Sequence, residues 1–167
     1  MSTPLNPLIV ARLRKYWLCP EPAELDVTDS TTNVSCNGLS DGSIDLSVSG
    51  GLSPYTYVWS NGSFSQDISN LLVGTYTVSV TDALGQIVTA LYTITEPSVI
   101  IPIYTVTNTT GAGMSNGSIS VSVSGGTPPY TYYWIGDTST SSTLYNLSAG
   151  TYVSYILDVN NCYIVDS

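Results

Sequence analysis

The run GSIDLSVSGGLSPYTYVWSNG, Gly42 to Gly62, returns as GSISVSVSGGTPPYTYYWIGD, Gly117 to Asp137. An internal repeat of this length restricts the fold more than any single residue, because one pattern must bury its apolar face twice. Glu21-Pro22 aligns with Glu96-Pro97, a shift of 75 positions (96 − 21). The same shift pairs Thr32-Asn33 with Thr107-Asn108, Gly50-Gly51 with Gly125-Gly126, and Trp59 with Trp134. One residue is then added in the second copy, so Leu71, Gly74, Tyr76 and Asp82 match Leu147, Gly150, Tyr152 and Asp158 at a shift of 76. A single insertion of this kind suits a loop between strands. The expected division is a short segment 1–20, a first unit 21–95 and a second unit 96–167, whose last strand stops about four residues short of its counterpart.

Within a unit the hydrophobic period is two. Ile44, Leu46 and Val48 alternate with Ser43, Asp45, Ser47 and Ser49, and Ile119, Val121 and Val123 alternate with serines. That is the signature of a half-buried strand with one wet face. Gly50-Gly51 and Pro54 then impose a turn, after which Tyr55, Tyr57 and Trp59 share one face of the next strand. Short strands at regular spacing, separated by Gly, Pro and Asn, predict an all-β fold made of two tandem immunoglobulin-like antiparallel β-sandwiches. Trp59 and Trp134 suit the space between sheets. Leu71-x-x-Gly74-x-Tyr76 and Leu147-x-x-Gly150-x-Tyr152 suit tyrosine corners, in which the phenol bonds to nearby backbone. The competing use of these aromatics is a sugar-stacking platform, but the sandwich needs the same faces for its core.

Charge separates the two parts of the chain. Arg12, Arg14 and Lys15 are all the basic residues, against 12 acidic ones, so residues 16–167 carry no cation. A conventional nucleic-acid surface, which replaces counterions along phosphate with Lys and Arg, is excluded. No apolar run approaches the roughly 18 residues of a membrane span. The absence of histidine removes Ser-His and Cys-His nucleophile systems. The scattered acids, Asp41 and Asp45 included, do not make a calcium loop and read as solvated turn carboxylates. Neither an enzyme activity, a cofactor nor a metal is expected. Asn-x-Ser/Thr occurs at Asn33, Asn61, Asn108, Asn116 and Asn146, each equally suited to a turn or strand edge.

The run D-G-S-I-x-L-S-V-S-G-G-x-x-P-Y-x-Y-x-W-S-N-G, followed by L-x-x-G-T-Y-T-V-x-V-T-D, resembles the SprB repeat. The resemblance covers nearly all of 21–167 and implies immunoglobulin/PKD-like modules of the kind found in giant surface adhesins of gliding Bacteroidota, without enzymatic activity. Family members often carry one Cys early in the unit and one after the D-x-x-G turn. Here Cys36 has Gln86 at the later position of its unit, and Cys162 has Gly111 at the earlier position of its own. Each unit thus keeps half a pair, Cys19 lies outside both, and the thiols are expected to be reduced or buried. Cys36 and Cys162, at opposite ends of the repeat pattern, are expected not to bond to each other.

The functional expectation is a non-enzymatic display protein. Residues 1–20 are read as an intermolecular anchor, with Leu8, Ile9, Val10, Arg12, Leu13, Arg14, Lys15, Tyr16 and Trp17 as the partner-binding set. These combine apolar bulk with every cation, which suits an acidic partner surface. Because no export signal of ordinary order precedes the apolar run, the expected setting is a bacteriophage virion: a capsid-decorating or head-fibre protein docked on capsid proteins or on its own copies. The alternatives are a fragment of a bacterial cell-surface adhesin and a carbohydrate-binding module, with cell-surface glycans as the weakly held partner.

Overall fold

The computed structural model describes residues 23–167, and among these every regular element is a β-strand. The first repeat forms β1 (Asp26–Thr32), β2 (Gly42–Ser49), β3 (Thr56–Trp59), β4 (Ile68–Leu71), β5 (Gly74–Thr81) and β6 (Ile87–Ile94). The second forms β7 (Ile101–Thr107), β8 (Gly117–Ser124), β9 (Thr131–Trp134), β10 (Thr143–Leu147), β11 (Ser154–Leu157) and β12 (Tyr163–Asp166). The repeat read from sequence therefore reappears as six strands followed by the same six.

Strand order repeats as well. The first copy makes sheets β1-β2-β4 and β3-β5-β6, and the second makes β10-β8-β7 and β12-β11-β9. Strands consecutive in sequence are thus dealt between two sheets, which is the immunoglobulin arrangement of A-B-E against C-F-G. In the second repeat the antiparallel registers run Ile101↔Ser124 to Thr107↔Ser118, and Ser154↔Trp134 to Leu157↔Thr131. Both β4 and β10 carry an irregularity where they pair with β2 and β8. Asn70 and Asn146 fall there at φ 57° and 58°, in the left-handed region that Asn tolerates better than most residues. That is the place of the Asn146 acceptor triplet.

The alternating faces do what their period requires. In the second repeat Val121 and Leu144 from one sheet pack with Trp134 and Ile156 from the other, closed by Leu147 and flanked by Tyr104, Tyr132 and Ile164. The first repeat buries the register-equivalent Leu46, Ile68, Trp59, Val80 and Leu71. Trp59 and Trp134 are 2 % and 4 % exposed, and each indole N–H donates to a loop carbonyl, Ser65 or Ser141, at 2.9 Å. Both tyrosine corners are present: the Tyr76 hydroxyl donates to Leu72 O at 3.0 Å and Tyr152 to Ser148 O at 2.9 Å. The core reading of these aromatics holds, and the tryptophans offer no sugar platform.

Two compact units divide the described chain: 23–30 with Asp45–Gln66 and Thr77–Leu91, and Thr31–Ile44 with Asp67–Tyr76 and Tyr92–Ser167. The second unit holds the entire second repeat together with the β1–β2 loop, β4 and the end of β6. Everything described below as the cystine junction lies inside that one unit.

Candidate functional site

Asp82 and Asp158 stand at the same register position, in the turns β5–β6 and β11–β12. Each is buried, against the expectation of a solvated turn acid. The cause is a ring of backbone donors. Asp158 accepts from the N–H groups of Thr127 at 2.8 Å and of Asn160 and Cys162 at 2.9 Å. Asp82 accepts from Leu52, Leu84 and Gln86 in the same way. Burial opposes ionisation of Asp82, but the backbone donors outweigh it and hold its carboxyl below its ordinary value. Asp82-x-x-Gly85 and Asp158-x-x-Asn161 are thus carboxylate-centred turns, with Gly85 and Asn161 both at positive φ, and the second fixes the backbone of position 162.

The β1–β2 loop supplies the other half of the junction. Asn33 Oδ1 accepts the Thr95 N–H at 2.8 Å, and the buried Val34 donates its N–H to Thr95 O at 3.0 Å. The Ser35 hydroxyl, and then its N–H, donate to Asp41 and lower that carboxyl's pKa. Gly38, at φ +78°, donates its N–H to the Glu96 carboxylate at 2.7 Å, and the Asn37 amide donates to Pro97 O at 3.2 Å. The Glu-Pro that opens the second repeat is therefore a receptor for this loop. Asn160 closes the ring by donating to Ser35 O at 3.2 Å.

At the centre Cys36 and Cys162 form a disulfide, with Cα atoms 5.5 Å apart and a sequence separation of 126. The expectation of separate thiols is overturned. The two cysteines do stand at opposite ends of the repeat pattern, one in each copy. The end at which β6 leaves the first repeat is also the end at which β7 enters the second, so opposite ends of consecutive copies are what meet. The half pairs at Cys36 and Cys162 make one whole pair, and the repeat register survives unchanged.

An apolar hollow of about 360 Å³ flanks the cystine, lined by Leu39, Val99, Ile100 and Ile164 among others; its one titratable side chain is the phenol of Tyr163. Among the described residues no cluster of His, Cys, Asp or Glu could hold a metal ion. No helix there is long and apolar enough to cross a membrane.

A second surface feature was not found from sequence. On the β12-β11-β9 sheet the Tyr155 and Tyr163 rings stack at 5.0 Å and 24°, and Tyr133 joins Tyr155 at 6.4 Å. Tyr133 and Tyr163 are 49 % and 64 % exposed. Their register partners in the first repeat are Val58, Ser79 and Ile87, so the ladder belongs to the second copy alone. Three simultaneous replacements by Tyr at adjacent surface positions are the signal that alignment of the two copies carried. The sequence-derived anchor set, Leu8 to Trp17, lies outside the described residues.

The SprB repeat family model matches residues 28–64 and 103–139, two spans offset by the same 75 positions as the internal repeat. The chain carries two SprB repeats. Such repeats are modules of cell-surface adhesins, and as a rule they are structural rather than catalytic. No curated protein sequence matches the chain. Among solved structures, one titled "Structure of amphioxus IgVJ-C2 molecule" is similar at 16 % identity and a TM-score of 0.29, over 87 % of this chain and 96 % of that one.

Proposed function

We propose that the chain is a non-enzymatic display and adhesion module that works outside the cell, on a bacterial surface. The observation that carries this reading is the Cys36–Cys162 bridge at the SprB repeat junction. A disulfide persists in an oxidising medium and is rare where thiols are kept reduced. Its place suits a tether, because it pins the β1–β2 loop to the β11–β12 turn across the Glu96-Pro97 connection. A body with no cation among residues 16–167 also resists collapse onto other acidic surfaces.

Adhesion is assigned to the Tyr133–Tyr155–Tyr163 ladder, whose exposed rings present flat apolar faces with hydroxyls at their rims. Such faces stack on the C–H faces of sugars. A specific observation favours a second setting, decoration of a virion: residues 1–20 combine every cation with apolar bulk, as a dock on an acidic shell protein requires. Antibody against the folded body, applied to intact cells and to purified particles, distinguishes the two. Surface labelling of cells, with a non-reducing mass showing the Cys36–Cys162 bridge, is the expected result. Labelling of particles alone selects the virion, and a reduced, cytosolic chain overturns the extracellular reading.

A further inference from the structure

The strands that open the two repeats are written differently. β1 and β7 hold the same place, each at the end of its sheet with one hydrogen-bonded neighbour among the described residues, β2 or β8. A strand edge with free backbone groups is a template for another strand, and proteins commonly blunt it with charge. β1 does so with Asp26 and Asp29, both exposed, and its sheet adds Asp45. The counterparts of Asp26 and Asp29 are Ile101 and Tyr104, and no strand of the β10-β8-β7 sheet carries a carboxylate. Ile101, Ile103 and Val106 are each more than half exposed.

The register shows which backbone groups β7 leaves open. Ile101 and Ile103 stand opposite Ser124 and Ser122, whose hydroxyls donate to Ile101 O at 3.5 Å and to Ile103 O at 3.4 Å. Those carbonyls therefore point at β8. In an antiparallel ladder the N–H and C=O of one residue face the same neighbour, and the next residue faces the other way. Pro102, Tyr104 and Val106 thus turn their backbone groups outward. Pro102, which has no N–H, falls on the open side, where that lack costs the β7–β8 ladder nothing.

We propose that β7 is a dimer edge and that its occupant is β7 of a second copy, antiparallel across a two-fold axis at Tyr104. About that centre Ile101 faces the partner's Thr107 and Ile103 faces the partner's Thr105, so the whole strand is overlapped. Tyr104 exchanges both backbone hydrogen bonds with the partner's Tyr104, and the Val106 N–H donates to the partner's Pro102 O. Pro102 lies on the core side of the sheet with Tyr104, so its ring covers the exposed Val106 of the other copy. Self-complementarity in this register is what names a second copy as the occupant. Charge selects the place. Copies with 12 acidic and 3 basic residues repel one another, and a sheet free of carboxylates is where they approach at least cost. The contact is isologous, so it closes at two copies and joins two three-stranded sheets into one.

The test is sedimentation equilibrium of the full chain in a Cys19→Ser background, which removes a thiol that could link chains, with amide hydrogen exchange measured at low and high concentration. A mass that rises with concentration and levels at twice the monomer is expected, with exchange at Tyr104 and Val106 slowing as it rises. Two changes should abolish the rise: Val106→Pro, which removes an outward N–H that the fold does not use, and Ile101→Asp, which writes the residue of β1 into β7. Both variants should keep the parent's thermal midpoint at low concentration, which shows that they are folded. Should the proline unfold its chain, Ile101→Asp, at an exposed side chain, decides alone. A chain that stays monomeric at every concentration overturns the proposal. So does a dimer that the folded variants leave intact, or one that forms without slower exchange at Tyr104 and Val106.

Discussion

At the residue scale, Asp82 and Asp158, which open the matched turns, do more than shape a loop. Asp82 accepts three backbone hydrogen bonds and is 5 % exposed, so its ionised form belongs to the folded state. Its folded pKa lies below the unfolded value of about 3.9. The stabilisation it brings is fully present above that unfolded value and is lost as pH falls through the folded one. Asp41, held by Ser35, acts in the same direction. Thermal midpoints should therefore be flat near neutrality and fall below about pH 4, and Asp82→Asn should make the acid limb shallower. The glycines before β9 give a second prediction at this scale. A Cβ on Gly125 would lie 1.9 Å from Val99 O, at φ +74°. Gly125→Ala should cost more than about 1 kcal/mol, read from the denaturant midpoint, because strained backbone and steric overlap act together.

At the element scale, β3 and β9 carry the tryptophan that spans from one sheet to the other. Each unit is small for a sandwich, so a cavity of indole size is a large part of what holds it. Trp134→Ala should cost about 3–5 kcal/mol, and Trp59→Ala a similar amount, checked by equilibrium unfolding in urea. The outward face of β9, β11 and β12 obeys different rules. Tyr155→Ala removes the middle ring of the ladder at a position that is not part of the core cluster. Fold should survive, and any binding on a glycan array should fall; unchanged binding would remove the ladder from the adhesion surface.

At the scale of the whole molecule, the cystine closes a stretch of 126 positions that includes the end of β6 and the Glu96-Pro97 connection. In the chain-entropy description a closed loop of this length stabilises by roughly 4–5 kcal/mol, and loss of a native disulfide from a small domain costs about 2–5 kcal/mol. Replacing both cysteines, Cys36→Ser with Cys162→Ser, should lower the unfolding midpoint by that order. Reduction of the wild-type chain should do the same, while the double variant should not respond to reductant.

The sequence by itself determined the register, the strand alternation and the tryptophan and tyrosine-corner positions. All of these are local or periodic: a two-residue period, a glycine that must be a glycine, or a copy that repeats its partner. Asp82 and Asp158 were visible as matched positions, yet their burial was not, because a surface turn and a carboxylate-centred turn share one spelling. The Cys36–Cys162 bond was decided only by the tertiary structure. Distance along a repeat says where a residue stands within its own copy, whereas a bond between copies depends on which end of one meets which end of the next. That meeting is fixed by the Glu96 carboxylate, the Asn33 and Asn160 side chains and the course of the chain from β6 into β7, none of which has a period to read.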